Sequence, residues 1–293
     1  MFANLFAGKK TDSRPSSLGP EYPVLRKHVL ARIAELTVGD APFFHAYIEN
    51  ILPGEFYEQL HRQMRDFKKS GKIQDRKQDN AEFTNQRCRL PGAPQLVIRQ
   101  FRALFEDAEI KRELFRKFYV APDEAMLQDV EIHEKEFEFV FCKPDRFQNI
   151  HVDIPPKYMS FVFYLPSETL SPEAEEKNAT ILYDRSMKPV YGARFRKNSV
   201  CVFVPHFYSY HGFSSTIERD VIVMFYVNKR DMKEWRKVRH DKADVPKFDA
   251  VLDLIESKVR RNPLIEYGDD PSRIEEERAA CQINAPLGRV LLD

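Results

Sequence analysis

Residues 151–166 read His151-Val152-Asp153-Ile154-Pro155-Pro156-Lys157-Tyr158-Met159-Ser160-Phe161-Val162-Phe163-Tyr164-Leu165-Pro166. Aromatic and β-branched residues dominate from Tyr158 to Leu165 and a proline closes the run, which predicts a strand. Upstream, Phe137 to Val140 reads as a second strand and Lys143 to Asn149 as a polar loop. His151 and Asp153 therefore fall where a loop meets a sheet. Two apart on an extended segment, their side chains project from one face. The tripeptide alone carries little weight, because with 8 His and 45 acidic residues in 293 about one such match is expected by chance.

Further along, Asn198 to Pro205 is a short apolar strand, Ser209-Tyr210-His211-Gly212 a turn, and Arg219 to Val227 another strand. His151, Asp153 and His211 together are two imidazoles and a carboxylate, a facial set that leaves three metal positions open for oxygen chemistry. His206 competes as third ligand, but Pro205 and Phe207 beside it suggest a strand end or turn. Arg219 opens the last strand. A guanidinium at the mouth of an apolar barrel needs an anion to offset its desolvation, and a dicarboxylate would supply one bidentately. The alternative is a surface pair with Glu218, Asp220 or another acid.

From about Ala41 to Val227 the chain resembles the prolyl-4-hydroxylase-type iron(II)- and 2-oxoglutarate-dependent dioxygenases. Pro42-Phe43-Phe44-His45-Ala46-Tyr47-Ile48-Glu49-Asn50-Ile51-Leu52-Pro53 is similar to the family's opening strand, with a helix Gly54 to Met64 after it. His151-Val152-Asp153 with Phe163-Tyr164-Leu165-Pro166 resembles its first metal-binding strand pair. Asn178-Ala179-Thr180-Ile181-Leu182-Tyr183 resembles the segment written Gly-Thr-x-Leu-Tyr, with Ala179 in place of glycine. Asn198 to Phe203, Tyr210-His211-Gly212-Phe213 and Arg219 resemble the distal-histidine block.

The resemblance implies a mainly β fold with flanking helices: a double-stranded β-helix, or jelly roll, with N-terminal helices and a helical C-terminal extension. It implies that His151, Asp153 and His211 bind Fe(II) and are the catalytic set. Arg219 would hold the distal carboxylate of 2-oxoglutarate, with Tyr164 donating to the same group and Ser160 as a further cosubstrate contact. O2 is the remaining cosubstrate, and succinate and carbon dioxide are the products beside a hydroxylated substrate. Arg219 follows His211 by eight positions, so either the intervening turn is tight or Arg219 enters at a slightly different angle. An aspartate at 153, where halogenating relatives carry a small residue, argues for hydroxylation or a related oxidation and against halogenation.

A small-molecule or carrier-linked substrate is the leading expectation, with a prolyl-type peptide hydroxylase and a non-catalytic barrel as alternatives. Lys+Arg 46 against Asp+Glu 45 gives a formal net charge of +1, so no bulk attraction to nucleic acid or membrane is expected. No apolar run is long enough for a membrane helix and Met1 to Pro20 lacks a secretory apolar core, which leads to a cytoplasmic expectation. Cys88, Cys142, Cys201 and Cys281 show no CxxC spacing, and Cys142 and Cys201 fall in strands as reduced core residues. Oligomeric state is left open.

The expected organisation is a loosely ordered tail over 1–20, a dioxygenase domain over 21–230 and a helical extension over 231–293, including a helix Phe248 to Arg260. Tyr22 to Leu36 reads as an amphipathic helix through Leu25, Val29 and Ile33. Phe67 to Pro91 is strongly polar and reads as a solvated loop, or as a lid whose basic residues would suit an anionic substrate. Ala93 to Tyr119 is helical in period, broken near Asp107-Ala108, with Ile98, Phe101, Leu104, Phe105, Leu114 and Phe118 placed against the back of the sheet. Phe139, Phe141, Phe161, Phe163, Phe203 and Phe225 are expected to line the barrel and exclude water.

Overall fold

The computed structural model describes residues 18–229, apart from 71–75, 81–82, 90–94, 120–123, 152, 154–156, 185, 187 and 206–208. His206, the expected C-terminal extension and nearly all of the expected N-terminal tail lie outside the described residues.

Helix α1 (Tyr22–Ala34) buries Tyr22, Leu25, Val29 and Ile33 along one stripe and has proline in its first turn, where the fixed φ is compatible with a helix start. Helix α2 (Gly54–Lys69) carries Glu55 in its first turn and Lys68 and Lys69 in its last, each at the end of the dipole that favours its charge. The break expected near Asp107 separates α3 (Leu96–Glu106) from α4 (Ala108–Phe118). Asp107 caps the second helix by accepting from the backbone N–H groups of Glu109 and Ile110, which satisfies two of the donors that a helix start leaves over. Arg26 bonds Asp107 at 2.8 Å and so ties α1 to that junction. Two short helices, α5 (Glu124–Asp129) and α6 (Pro172–Lys177), complete the set among the described residues.

The strands are β1 (His45–Glu49), β2 (Arg76–Asn80), β3 (Phe83–Arg89), β4 (Val130–Cys142), β5 (Arg146–His151), β6 (Lys157–Tyr164), β7 (Thr180–Tyr183), β8 (Pro189–Ala193), β9 (Ser199–Phe203), β10 (His211–Ser215) and β11 (Arg219–Asn228). They form one hydrogen-bonded sheet in the order β1-β9-β6-β11-β4-β3-β5-β10-β7-β8, with β2 attached to β3. The sheet rolls over on itself. Leu182 of β7 and Ala193 of β8 pack with Val140, Tyr164, Phe203 and Val221, which lie on strands far from them in the hydrogen-bonding order. This is the jelly-roll architecture expected from the sequence.

Helices α3 and α4 cover the outer face. Phe101 and Phe105 meet Phe163 edge-on at ring separations of 4.9 and 5.1 Å, and Phe115 lies 5.9 Å from Tyr226. Of the six phenylalanines assigned to the barrel interior, only Phe203 and Phe225 line its cavity; Phe139, Phe141, Phe161 and Phe163 belong to the core on the helix side. Period-two alternation separates them, since β4 and β6 give their odd-numbered residues from 137 to 141 and from 161 to 163 to the helices.

A second correction concerns Phe67 to Pro91. Helix α2 continues to Lys69, and the polar stretch contains β2 and β3. Strand β3 pairs with β4 from Gln86↔Phe141 to Arg89↔Glu138 and meets β5 at Phe83↔Gln148. Ladder hydrogen bonds place this hairpin in the sheet although its sequence lacks apolar alternation. Cys142 and Cys201 are buried thiols in β4 and β9, as expected. Among the described residues no helix is long and apolar enough to cross a membrane.

Candidate functional site

His151 ends β5, Asp153 follows just beyond it, and His211 opens β10. The register pairs His211 directly with His151, so the distal histidine reaches the first by strand pairing. One ligand atom from each of the three residues lies within 4.8 Å of the others. The two imidazoles are 4.2 Å apart between centroids, and His211 Nε2 is 3.9 Å from Asp153 Oδ2. His211 Nδ1 lies 2.9 Å from the Ser209 carbonyl. That oxygen can only accept, so Nδ1 carries the proton and the Nε2 lone pair faces the cluster, an orienting arrangement typical of metal-binding histidines.

Burial lowers the pKa of His211, and Asp153 opposes the shift. For Asp153, burial works to raise the pKa, but Lys157, His211 and His151 together hold it well below the usual carboxylate range. Two imidazole nitrogens and a carboxylate held in its ionised form make a donor set suited to ferrous iron.

Two bulges bring further polar groups to this end of the cavity. Between His211↔His151 and Phe213↔Gln148, β5 has one residue more than β10, so Gln148 faces inward with His151 and its amide Nε2 lies 2.7 Å from His151 Nε2. Strand β6 has an extra residue opposite β11, where Tyr226 pairs with Met159 but Val227 with Lys157. Lys157 and Ser160, three apart, consequently share the cavity face, while Tyr158 and Met159 join the core on the helix side. A bulge re-aims a side chain in this way. Lys157 Nζ bonds Asp153 Oδ1 at 2.7 Å, and the Ser160 hydroxyl donates to Asp153 Oδ2.

The other end of the same cavity holds Arg219 and Thr180. Arg219 is 1% exposed, and its Nη2 donates to Thr180 Oγ1 at 2.7 Å. Tyr164 donates to that same oxygen at 2.8 Å. The guanidinium carbon sits 4.2 Å from the Phe213 ring centroid and 5.0 Å from that of Phe195. Its Nε has no hydrogen-bond partner. The surface-pair alternative does not hold, because Asp220 and Glu218 both pair with Lys68. Burial works against the charge on Arg219, and Tyr164 is the first of the groups that oppose the shift.

Of the two alternatives that the spacing from His211 left, the turn ahead of Arg219 is the tight one, with β10 ending at Ser215 and β11 starting at Arg219. Asn178 Oδ1 accepts from Ser215 Oγ at 3.0 Å and from the Thr216 N–H at 2.8 Å, tying the β10–β11 connection to the start of β7.

The expected site residues thus divide between two ends of one cavity. His151, Asp153, His211 and Ser160 line one and Arg219 the other, while Tyr164 is not part of the lining and donates to Thr180 from behind it. Sequence reasoning did not single out Lys157 or Gln148, whose inward facing depends on bulges, nor Thr180, which it quoted only inside the Gly-Thr-x-Leu-Tyr-like segment.

No family model matches the chain, and no curated protein matches it in sequence. Solved structures do resemble it. A prolyl hydroxylase from Trichoplax adhaerens, in complex with a hypoxia-inducible factor oxygen degradation domain peptide fragment, superposes with a TM-score of 0.51 at 12% identity, covering 75% of this chain and 96% of that one. A Pseudomonas putida prolyl-4-hydroxylase gives a TM-score of 0.49 at 14% identity over 68% of this chain and 98% of its own. A prolyl 4-hydroxylase from Phytophthora capsici gives 0.49 at 14% over 96% and 100%. The chain therefore has the rolled β fold of the Trichoplax prolyl hydroxylase, and it gathers a His-Asp-His cluster and a buried arginine around one cavity in that fold.

Proposed function

We propose that this chain is an iron(II)- and 2-oxoglutarate-dependent oxygenase that hydroxylates a C–H bond of a small-molecule or carrier-linked substrate. One observation carries the reading: a cavity with a His-Asp-His cluster at one end and, at the other, a fully buried arginine without a carboxylate partner among the described residues. A desolvated, uncompensated guanidinium is costly in a core. A ligand carboxylate that bonds Arg219 bidentately offsets that cost.

When bound, ferrous iron and 2-oxoglutarate supply the oxidising chemistry, consuming O2, releasing succinate and carbon dioxide and delivering one oxygen atom to the substrate. The chain supplies position. His151, Asp153 and His211 would hold the metal, with Ser209 fixing the tautomer of His211. Arg219 and Thr180 would orient the distal carboxylate, with Tyr164 holding the Thr180 hydroxyl in place behind them. Val140, Val162, Phe203, Val221 and Val223 form the apolar wall between the two ends and limit water there, which strengthens each polar contact.

Anaerobic titration of the protein with Fe(II) and then 2-oxoglutarate tests the reading. A metal-to-ligand charge-transfer absorption that is lost in His211→Ala is the expected result. Its absence in the wild-type protein would favour a non-catalytic barrel. A peptide substrate of the kind bound by the Trichoplax enzyme is the second reading, favoured by that structural likeness. Substrate-stimulated succinate release with prolyl peptides as against small metabolites separates the two.

A further inference from the structure

The chain itself engages both oxygens of the Asp153 carboxylate, and it does so with different groups. Oδ2 accepts from the Ser160 hydroxyl and lies 3.9 Å from His211 Nε2. Oδ1 accepts from Lys157 Nζ at 2.7 Å. A carboxylate oxygen that accepts one hydrogen bond keeps a further lone pair, so Oδ2, the oxygen turned to His211, can still serve a metal. Oδ1 is held by a cation. Strand β6 brings that cation inward only through the extra residue opposite Tyr226 and Val227; in regular alternation with Ser160, position 157 would belong to the helix side. A bulge of this kind beside a site is a built feature.

The ion pair is enclosed. The side chains of Lys157 and Asp153 are 7% and 10% exposed, and Lys157 Nζ lies 3.2 Å from the Phe225 ring centroid. Charges in such surroundings are weakly screened. An ammonium on a ligand carboxylate then acts in two ways: it draws negative charge away from the other oxygen, and it repels the cation bound there. Both effects grow with the charge of the bound ion, so Fe(III) is disfavoured more than Fe(II). Groups that bond a ligand from outside the coordination sphere tune a metal in this way.

Resting on the oxygenase reading, we propose that Lys157 is a positioning residue that acts through Asp153: it turns Oδ1 away from the metal, weakens the carboxylate as a donor and so keeps bound iron ferrous. The reaction that it opposes is the loss of one electron from Fe(II) to O2 in the absence of substrate, which leaves Fe(III) and superoxide. A raised Fe(III)/Fe(II) potential disfavours that loss. The same ammonium makes the site a weaker binder of divalent metal than its three ligands alone would be.

The test uses the full chain as wild type, Lys157→Met and Lys157→Arg. Electron paramagnetic resonance of free Mn(II) gives the metal dissociation constant, and a mediated potentiometric titration gives the Fe(III)/Fe(II) midpoint. The expected result is Mn(II) binding about tenfold tighter in Lys157→Met. Its preference for Fe(III) over Fe(II) should also rise about tenfold, a midpoint about 59 mV lower. Lys157→Arg should stay close to wild type. Lys157→Gln, which keeps a donor without the charge, should follow Lys157→Met and gives the same readings if that variant does not fold. A lysine that only packs the site predicts the opposite sign, weaker Mn(II) binding with an unmoved midpoint. Unchanged or weaker Mn(II) binding in the uncharged variants, or a midpoint that does not fall, overturns the proposal. The Fe(II)–2-oxoglutarate absorption is recorded alongside: its absence in the wild type defeats the oxygenase reading itself, whereas a normal band with affinity and midpoint independent of Lys157 defeats only this inference.

Discussion

Arg219 and Tyr164 donate to one and the same acceptor, the hydroxyl oxygen of Thr180, at 2.7 and 2.8 Å. With both approaches to that oxygen taken, the Thr180 proton is directed elsewhere, and the cavity that Thr180 lines is open to it. The cluster is thus organised around a hydroxyl that can present its hydrogen to an anion, beside a guanidinium that lacks one.

From this follows a trade of stability for binding. Arg219→Met removes an uncompensated buried charge and keeps most of the volume, so without 2-oxoglutarate the variant should be more stable than wild type by about 1–3 kcal/mol. Adding 2-oxoglutarate with Mn(II) should raise the melting temperature of the wild type by linkage and leave that of the variant nearly unchanged. Thermal denaturation of both proteins, with and without ligand, checks this. A variant less stable than wild type in the absence of ligand would mean that Arg219 is already compensated within the fold.

The metal end should show a different pattern. His151→Ala, Asp153→Ala and His211→Ala should each abolish iron-dependent succinate production, and direct metal binding should weaken in parallel. Full activity in any one of them would remove that residue from the site.

Lys68, near the end of α2, pairs with Asp220 at 2.8 Å and with Glu218 at 2.7 Å, the two residues that flank Arg219. Burial pushes the carboxyl of Asp220 up to about 6, against the pull of Lys68. A carboxyl whose pKa is raised in the folded state is accommodated best when protonated; its cost is absent below the ordinary carboxylate range, grows as pH rises from there to about 6, and is complete above that. Lys68→Met should therefore cost about 1–3 kcal/mol at pH 8 and much less at pH 5, where Asp220 can take up a proton. Urea midpoints at the two pH values measure the difference.

His61 of α2 stacks on Tyr57 at 5.6 Å, and neither of its ring nitrogens makes a hydrogen bond of ordinary geometry. Burial pushes its pKa down to about 4. Because the unfolded chain takes up this proton more readily, the stabilisation tied to a neutral His61 is complete above about pH 6.5 and is lost as pH falls towards 4. His61→Phe keeps the stack and removes two buried polar atoms, so it should raise stability by about 1–2 kcal/mol and flatten the decline between pH 6.5 and 4. An unchanged acid limb would place the sensitive group elsewhere.

How much of this the sequence announces depends on how regular each strand is. The α3–α4 junction is legible because Asp107 is both a helix breaker and a cap. Arg219 is legible because it opens an uninterrupted apolar strand. Lys157 and Gln148 are not, since a bulge shifts the face of every residue beyond it and period-two reading has no means to register the extra position. Strands β2 and β3 are hidden for another reason: their place rests on backbone ladders with β4 and β5, which leave no apolar signature. His151 and Asp153 converge as expected, though Asp153 stands past the end of β5 rather than within a strand.

The pairing of β10 with β7 places Leu182 opposite His211, and Thr180 stands two residues from Leu182 on the same face. Two residues of strand span about 7 Å, and neither end of that interval can move without breaking ladder hydrogen bonds. On the oxygenase reading, the sheet would therefore work as a gauge for a molecule laid along it. A five-carbon keto diacid can reach from the histidine to the threonine, and chain-length homologues one methylene shorter or longer should each lose about 1–3 kcal/mol of binding relative to it, a selectivity that begins in the backbone pitch that spaces the side chains.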